Sequence, residues 1–191
     1  MIDINKISFS YGDKQVLHDY SLHVENSGRI CLFAPSGSGK TTLFRLIAGL
    51  EKPDSGEIKL SGRVNYLFQE DRLLPWLTVA ENLTLVGVDK TRAKEVLSQV
   101  GLDEPGKYPD ELSGGMRRRV AIARSVCLGG EILLLDEPFT GLDAGLREIC
   151  AELLKREFAG AAIVMITHER EDARLMGAEI VNFVPDARAN I

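Results

Sequence analysis

The stretch at residues 34–42 reads APSGSGKTT, and the interpretation of the whole chain starts from it. The residues before it, RICLFA at 29–34, form a short apolar run that predicts a buried strand. The residues after it, KTTLFRLIAG at 40–49, carry apolar side chains at helical spacing and stop at Gly49, which predicts a helix. The stretch is therefore a glycine-rich loop between a strand and a helix.

The loop matches the phosphate-binding pattern G-x-x-x-x-G-K-[ST] except at the first position, where Ala34 replaces glycine. Such a loop binds phosphate oxygens through its main-chain N–H groups and through the positive end of the following helix. The residues expected to bind a nucleotide are Ser36, Gly37, Ser38, Gly39, Lys40, Thr41 and Thr42. The alternative is a chance glycine-rich turn, and the predicted strand and helix on either side argue against it.

Side chains of the loop have distinct expected tasks. Gly37 and Gly39 lie where a side chain would obstruct the phosphates, and Lys40 reaches the β- and γ-phosphates. Thr41 places its hydroxyl on Mg²⁺. Alanine in place of glycine at position 34 removes no N–H donor to phosphate. Its methyl group lowers the stability of the fold by about 1–2 kcal/mol only if the φ of Ala34 is positive. We therefore interpret the loop as intact, with a nucleotide and Mg²⁺ as its ligands.

Two carboxylates end a second apolar strand, EILLLDEPF at 131–139. Phosphoryl transfer needs a carboxylate for the metal ion and a group that orients the attacking water. Asp136 is expected to hold Mg²⁺, directly or through water, and Glu137 to polarise the water. Two acids at a strand end are also typical of a helix cap, so this assignment depends on the phosphate-binding loop upstream.

Composition and charge limit the class of protein. The chain has 191 residues, enough for one domain with or without a small lobe, and no apolar run approaches the roughly 20 residues of a membrane span. The N-terminus lacks the basic and then apolar layout of a signal peptide. A cytoplasmic protein is expected, held on the membrane only through a partner.

The formal net charge of −5 disfavours nucleic acid as a partner, because phosphate-backbone binding needs a basic face. The basic run Arg117-Arg118-Arg119 is interpreted as a solvated helix face. Cys31, Cys127 and Cys150 show no metal-binding spacing and are interpreted as reduced packing residues.

Strands alternate with helical patterns, which predicts an α/β fold with a mostly parallel sheet and flanking helices. The N-terminal strands and GEIKLSG at 56–62, interpreted as half of a small hairpin, predict an antiparallel β subdomain. Residues 71–128 change to helical patterns broken by Gly and Pro, which predicts an inserted helical lobe. The rest of a single domain, 1–70 and 129–191, would form its core.

The segment LSGGM at 112–116 resembles the signature of the ATP-binding-cassette (ABC) family, which usually reads LSGGQ. Motifs of that family occur in order along nearly the whole chain. They are Tyr11, the phosphate-binding loop, Gln69, Ser113-Gly114-Gly115, Asp136-Glu137, Gly141-Leu142-Asp143 and His168. The resemblance implies the P-loop NTPase fold and an ATPase. Met116 departs from the usual Gln, with little expected loss because the serine hydroxyl and the glycine backbone are the essential donors.

The resemblance also implies roles for single residues. Tyr11 would stack on adenine, Gln69 would contact Mg²⁺ or the attacking water and sense the partner, and His168 would hydrogen-bond the γ-phosphate. Each has a simpler alternative. Tyr11 is then a surface tyrosine of a hairpin, Gln69 caps a strand, and His168 is structural.

The signature residues imply a dimer. Ser113, Gly114 and Gly115 would contact the γ-phosphate bound to another subunit, and Asp143 would cross the dimer interface, although Ser113 and Asp143 also suit plain helix capping. Two cassettes placed head to tail would enclose two ATP molecules, in an isologous homodimer or in a heterodimer. ATP would hold the pair together and hydrolysis would loosen it, a cycle suited to moving an attached membrane permease.

The segments RLLPW at 72–76 and TVAENL at 78–83 are similar to those of importers of the nitrate, sulfonate, taurine and thiamine-precursor group. Leu73, Leu74 and Trp76 either form a groove for a short permease helix or fill the core of the helical lobe, and the sequence leaves both open. A C-terminal regulatory domain is not expected after NFVPDARANI at 182–191.

The predicted function is the ATP-hydrolysing subunit of an ABC importer, attached to the cytoplasmic face of the membrane through its permease. One alternative is a soluble ABC ATPase acting on ribosomes or DNA, which the single cassette and the acidic charge disfavour. The other is a non-hydrolysing regulatory cassette, suggested by Ala34 and Met116 but opposed by Lys40, Glu137 and His168.

Overall fold

The computed structural model describes residues 1–186, so residues 187–191 of the predicted domain lie outside the described part. Its elements in chain order are β1 (Ile2–Tyr11), β2 (Lys14–Val24), β3 (Arg29–Phe33), α1 (Lys40–Ile47), β4 (Ser55–Leu60), β5 (Val64–Leu67), α2 (Val79–Thr84), α3 (Lys90–Gln99), α4 (Gly114–Leu128), β6 (Ile132–Asp136), α5 (Ala144–Glu157), β7 (Ala162–Ile166), α6 (Arg170–Met176) and β8 (Glu179–Asn182). A short 3₁₀ turn at Pro109–Glu111 precedes α4.

The chain divides into two compact units. The first, here called the sheet unit, comprises Met1–Tyr66, Gly130–Asp136 and the described part of Gly160–Ile191. The second, the helical unit, comprises Leu67–Gly129 and Glu137–Ala159. The predicted lobe, 71–128, lies within the helical unit, which also takes in 137–159 and therefore α5, a helix that the sequence analysis placed in the core.

The larger sheet has the order β5-β6-β7-β3-β8, and its β6–β7, β7–β3 and β3–β8 pairs are parallel. Strands β6 and β7 are buried along their whole length, as the continuous apolar runs ILLLD and AIVMI predict. The carboxyl ends of parallel strands lie at one edge of a sheet, so β3 and β6 deliver the phosphate-binding loop and Asp136 to the same edge. The predicted fold class is confirmed.

A three-stranded antiparallel sheet has the order β2-β1-β4. Its inner side chains, such as Ile4, Ile7 and Leu17, join the same core as Phe44 of α1 and Leu134 of β6. The prediction that GEIKLSG forms half of a local hairpin is wrong. Strand β4 pairs with the distant β1, with Ile4 opposite Ile58, whereas the next strand, β5, belongs to the other sheet.

In the helical unit, α2, α3 and α4 pack on one another around buried aliphatic side chains. These include Leu83, Ala93, Val96, Leu97, Val120 and Ile122. Helix α2 begins with a capping box, in which the Thr78 hydroxyl accepts from the Glu81 N–H and the Glu81 carboxylate accepts from the Thr78 N–H at 2.8 Å. Within residues 1–186, no helix combines the length and the apolar character that crossing a membrane requires.

The cysteines occupy packing positions, as predicted. Cys31 of β3 and Cys150 of α5 are buried, and Cys127 is partly buried. Burial raises the pKa of the Cys127 and Cys150 thiols to about 11, so both stay protonated at neutral pH. A protonated thiol is a poor nucleophile and a poor metal ligand, which leaves these two side chains the role of small apolar groups.

Candidate active site

The phosphate-binding loop runs from the end of β3 at Phe33 to the start of α1 at Lys40. Among residues 1–186, the non-glycine residues with a positive φ are Lys6, Asp19, Ser27, Arg72 and Glu137. Ala34 is not one of them, so its methyl group sits on backbone that any residue adopts. The departure from the motif at this position therefore introduces no left-handed strain.

Both central glycines of the loop are required by backbone conformation. Gly37 has a φ of +75° and Gly39 a φ of +100°, in the region where a Cβ atom is unfavourable. A Cβ on Gly39 would also lie 2.8 Å from Cγ1 of Val16 on β2. Besides the expected room for phosphate, the two glycines therefore meet a conformational requirement, and Gly39 also meets a packing requirement.

The Lys40 ammonium is buried and held against the start of its own loop. Its Nζ donates to the main-chain carbonyls of Ala34 at 2.7 Å and Pro35 at 2.9 Å, and to the Ser38 hydroxyl at 3.4 Å. Only 6% of the residue is exposed. The loop is thus curled around a fixed positive charge, which favours an anion at this place.

Asp136, at the end of β6, lies beside the first turn of α1. Its Oδ2 accepts hydrogen bonds from the Thr41 hydroxyl at 3.4 Å and from the Tyr66 hydroxyl at 3.2 Å. Tyr66 of β5 is in turn fixed by an edge-to-face contact with Phe44, with ring centroids 5.5 Å apart. Asp136 is 3% exposed, so its carboxylate is held in place by these donors.

Tyr66 was not predicted as a site residue. It lies 70 residues before Asp136, and the contact exists because β5 and β6 are neighbours in the sheet. The position of Tyr66 in a strand just before Gln69 could have indicated a site residue. A single sequence does not show, however, which strand lies next to β5.

The donors at this edge fit Mg²⁺ when it arrives with a nucleotide. Mg²⁺ prefers oxygen ligands, and it is usually bound by one or two carboxylates together with substrate phosphates and water. Thr41 and Asp136 supply a hydroxyl and a carboxylate next to each other. No group of three or more His, Cys, Asp or Glu side chains within residues 1–186 is arranged to hold a metal ion by itself.

His168 follows β7 and is exposed. Its Nε2 lies 3.3 Å from the Ser36 hydroxyl, so it contacts the phosphate-binding loop directly. A cleft of about 440 Å³ adjoins this pair, lined by Phe33, Ala34, Pro35, His168, Asn182 and Phe183. His168 therefore lies next to the phosphate-binding loop, as the order of the motifs suggested.

Tyr11 ends β1 and is 47% exposed, with its ring edge-to-face against Phe9 at 4.8 Å between centroids. Phe9 is buried, so the tyrosine ring is anchored on one side and open on the other. That environment suits stacking on a planar ligand and equally suits a surface tyrosine.

Three other predicted site residues lie in the helical unit at turns or loops. Gln69 follows β5 and is exposed. Glu137 is half-buried and has a φ of +46°, a left-handed conformation that is strained for a residue with a side chain. Asp143 caps α5, its carboxylate accepting from the Leu146 N–H at 3.0 Å.

The signature segment forms the start of α4. The Ser113 hydroxyl accepts from the Met116 N–H at 3.3 Å, so the serine caps the helix, and Gly114 is the first helical residue. A Cβ on Gly115 would lie 2.8 Å from the Gly141 carbonyl oxygen, so only glycine fits there. The capping roles of Ser113 and Asp143 are therefore present, and they leave both side chains exposed at helix N-termini.

The interpretation of Arg117-Arg118-Arg119 as a solvated helix face is wrong. Arg118 is buried, with 2% of the residue exposed, and its guanidinium donates to several main-chain carbonyls. Arg117 donates to the Leu112 carbonyl, and Arg119 to the carbonyls of Val100 and Gly101. Charge runs are usually solvated, but the long side chains here reach back over α4 to the ends of neighbouring segments.

A glycine-rich phosphate loop, a strand-end carboxylate bonded to its threonine, and a serine-capped signature helix define an ATP-binding cassette. The sequence model of the family described as "ABC transporter" matches residues 17–140, more than half of the chain. The chain belongs to the ABC transporter family.

Two curated relatives cover nearly the whole chain. The aliphatic sulfonates import ATP-binding protein of Rhodococcus jostii (strain RHA1) is 41% identical, covering 94% of this chain and 78% of that protein. The taurine import ATP-binding protein of Escherichia coli O157:H7 is 38% identical, covering 97% of this chain and 80% of that protein.

A solved structure described as a dimeric post-hydrolysis state of an ATP-binding cassette, bound to ADP and Pi, has a TM-score of 0.86 to this chain. It is 28% identical and covers 97% of this chain and 95% of its own. The family, the fold class, ATP as ligand and the ATPase activity predicted from the sequence are confirmed. The transport interpretation is supported over the regulatory alternative.

The Ala34→Gly substitution should leave the affinity for ATP within a few-fold of wild type. No donor to phosphate changes, and Ala34 lies outside the left-handed region. The matched control is Gly39→Ala, which should weaken ATP binding because its φ is positive and its Cβ would meet Val16. Titration with a fluorescent ATP analogue checks both, and a large gain in affinity for Ala34→Gly would show that Ala34 distorts the loop.

Proposed function

We propose that this chain is the ATP-hydrolysing subunit of an importer, bound at the cytoplasmic face of the membrane to a permease, and that its two units form one nucleotide-binding domain. The observation that carries the proposal is the phosphate-binding loop with its buried Lys40 ammonium, beside the Thr41–Asp136 pair. These are the groups that an NTPase uses to hold the phosphates and the metal ion.

In this proposal the loop residues Ser36, Gly37, Ser38, Gly39, Lys40, Thr41 and Thr42 bind the phosphates of ATP. Thr41 and Asp136 hold Mg²⁺, with Gln69 as a further oxygen donor. Bound there, Mg²⁺ neutralises charge on the transferred phosphoryl group. Tyr66 acts by holding the Asp136 carboxylate, since its hydroxyl donates to Oδ2 at 3.2 Å.

Glu137 is the proposed general base for the attacking water, and His168 the donor to the γ-phosphate. The strained backbone at Glu137 supports a functional role, because such conformations persist where the surroundings enforce them. The contact between His168 and Ser36 places the imidazole at the phosphate-binding loop. Tyr11 is proposed to stack on the adenine ring.

Dimerisation completes the proposal. Ser113, Gly114 and Gly115 are proposed to bind the γ-phosphate held by a second cassette, and Asp143 to lie at the interface. Support comes from the exposed N-terminus of α4, because a helix N-terminus attracts phosphate. The partner is a second copy of this chain or a similar cassette.

The segment 72–76 is the proposed docking surface for the permease. Trp76 is 69% exposed, whereas Leu73 and Leu74 are half-buried. An indole exposed to this extent does not fill a core, so the tryptophan favours the groove over the core interpretation left open by the sequence. The relatives are named for sulfonate and taurine import, which makes a small sulfonate the proposed class of transported substrate.

Trp76→Ala should uncouple ATP hydrolysis from transport while barely changing the melting temperature of the isolated chain. Removing a buried aromatic costs about 3–5 kcal/mol, and an indole that is mostly exposed should cost far less. Transport and ATPase activity are measured in vesicles with the permease. Ile149→Ala, which removes an apolar side chain 47% exposed on α5, is the control and should keep coupling. If Trp76→Ala instead lowered the free energy of unfolding by about 3–5 kcal/mol, as removal of a buried aromatic does, Trp76 would be a core residue of the helical unit.

The proposed function is tested by ATPase assays of the purified chain with and without the permease. Mg²⁺-dependent release of phosphate that rises on addition of permease and substrate is the expected result. ATP binding without hydrolysis in both conditions would instead identify a regulatory cassette.

A further inference from the structure

Arg118 is a buried arginine in the second position of the basic run of α4, and four main-chain oxygens accept hydrogen bonds from it. Its guanidinium donates to the carbonyls of Phe68 at 2.6 Å, Gln69 at 3.2 Å, Glu137 at 2.9 Å and Pro138 at 2.8 Å. These carbonyls belong to two chain segments far apart in sequence. One segment carries Gln69 and the other carries Glu137.

The geometry of a guanidinium explains how one side chain serves both segments. Arginine presents five N–H donors in a rigid planar fork. In Arg118, Nη1 donates to Phe68 and Gln69, Nη2 to Glu137, and Nε to Pro138. The Asp71 carboxylate lies 3.5 Å from Nη1 and supplies a negative charge beside the buried cation. A lysine in this place has a single nitrogen and cannot reach all four carbonyls.

The contact coincides with the strained backbone of the site. Glu137 has a φ of +46°, a strained conformation that persists only when its surroundings hold it. Arg118 binds the carbonyl of Glu137 itself and that of the next residue. The guanidinium therefore fixes the peptide groups on the C-terminal side of Glu137, which set the direction of its side chain.

Helix α4 holds the Gln69 segment at a second place. Arg124, further along the helix, donates to the carbonyls of Asp71 at 2.9 Å and Arg72 at 2.8 Å. Arg72 also has a positive φ of +46°. The residues after β5 are thus bound to α4 through two arginines, and Arg118 is the one that also binds the Glu137 segment.

We infer that Arg118 is a positioning residue for ATP hydrolysis, which locks the main chain at Glu137 and at Gln69 to one guanidinium on α4. This inference rests on the proposed function, because it assumes that Glu137 acts as the base. A displacement of the Gln69 segment is transmitted to the Glu137 segment through the shared fork. Loss of the fork should leave ATP binding intact and misalign the base.

The test compares Arg118→Gln with Arg119→Gln in the chain as purified. Arg119 is a partly buried arginine on the same helix and also donates to two main-chain carbonyls, those of Val100 and Gly101. Arg118→Gln should lower kcat by about 10- to 100-fold, since small misplacements of catalytic groups cost rate to this extent. Its KM for ATP should stay within a few-fold, and Arg119→Gln should keep both constants near wild type.

If Arg118 only stabilised the fold, the kcat of the folded variants would not show this difference. Each variant is assayed well below its own melting temperature, so that the folded fraction is the same. An unchanged kcat for folded Arg118→Gln, or an equal fall for Arg119→Gln, would overturn the inference. Arg118→Lys, which keeps the charge but not the fork, serves if the glutamine variant does not fold, and should show the same fall in kcat. Failure of both to fold while Arg119→Gln folds would also overturn it.

One further variant distinguishes a failure of the proposed function from a failure of this inference. Wild type and Glu137→Gln are measured in the same assay. Wild-type hydrolysis that Glu137→Gln does not reduce would remove the base assignment whatever Arg118 does. Hydrolysis that depends on Glu137 but not on Arg118 would leave the function standing and refute the positioning role.

Discussion

The Glu137→Gln substitution is expected to stop nearly all ATP hydrolysis and to preserve ATP binding. Glutamine keeps the shape of glutamate but cannot accept the proton of the attacking water. General base catalysis contributes roughly 10²–10⁴-fold, so kcat should fall by that factor. Lys40, Thr41 and Asp136 are unchanged, and neither the bonds from Lys40 to the loop carbonyls nor the Thr41–Asp136 bond involves the substituted side chain. Phosphate release and ATP titration measure the two effects.

The same variant should trap a dimer. Binding without hydrolysis leaves the γ-phosphate in place for Ser113 and Gly115 of the partner cassette to hold. We expect a monomer without nucleotide, a dimer with ATP and no dimer with ADP, which lacks that phosphate. Size-exclusion chromatography with light scattering at micromolar protein gives the answer. The similar solved cassette is described as dimeric in a post-hydrolysis state, in which Pi is bound together with ADP.

A second substitution separates the dimer interface from nucleotide binding. Ser113→Arg in the Glu137→Gln background should abolish the ATP-dependent dimer and spare ATP binding to the monomer. Ser113 is exposed at the start of α4, so an arginine there costs the helix its cap but no core packing. A variant that binds ATP yet remains monomeric before Ser113 is changed would contradict the assignment of Ser113 and Gly115 to the partner's nucleotide.

Lys40→Ala should abolish turnover and weaken ATP binding strongly while leaving the chain folded. The buried lysine ammonium is expected to pair with the ATP phosphates, and losing one partner of a buried charge pair costs about 2–5 kcal/mol. A cost of this size corresponds to a loss of at least about 25-fold in affinity. Calorimetric titration with ATP, circular dichroism and the phosphate-release assay together test this result.

The matched control for Lys40→Ala is Lys59→Ala. Lys59 lies on β4 of the same unit, has 63% of its side chain exposed and pairs with Glu57 at the surface. It should leave ATP affinity and turnover unchanged. Normal ATPase activity in a folded Lys40→Ala protein would refute the assignment of residues 34–42 as the phosphate-binding loop.

Local features of the site were predictable because they depend on residues close in sequence. The loop at 34–42 needs only a strand before it, a helix after it and glycines where φ is positive, and Gly37 and Gly39 meet that need. Ser113 and Asp143 each accept a hydrogen bond from an N–H three residues later, so their caps follow from the sequence. The buried strand before Asp136 follows from its apolar run.

Contacts between distant segments were not predictable in the same way. The order of the strands places Tyr66 beside Asp136, and it pairs β4 with β1 instead of its neighbour in sequence. Composition suggested a solvated basic run, yet packing buries Arg118 against carbonyls up to 50 residues away. Likewise, the sequence left open whether Trp76 is buried, and the structure leaves 69% of it exposed.

The phosphate-binding loop, the strand-end carboxylates and the helix caps follow from local sequence, because each depends on main-chain conformation and hydrogen bonds within a few residues. The donors that hold Asp136 and the cation that holds the Glu137 backbone depend instead on the packing of distant segments. Burial removes water from these polar groups, and each must then find its partner wherever the fold brings one. Sheet order and helix packing make that choice, and they are properties of the whole chain.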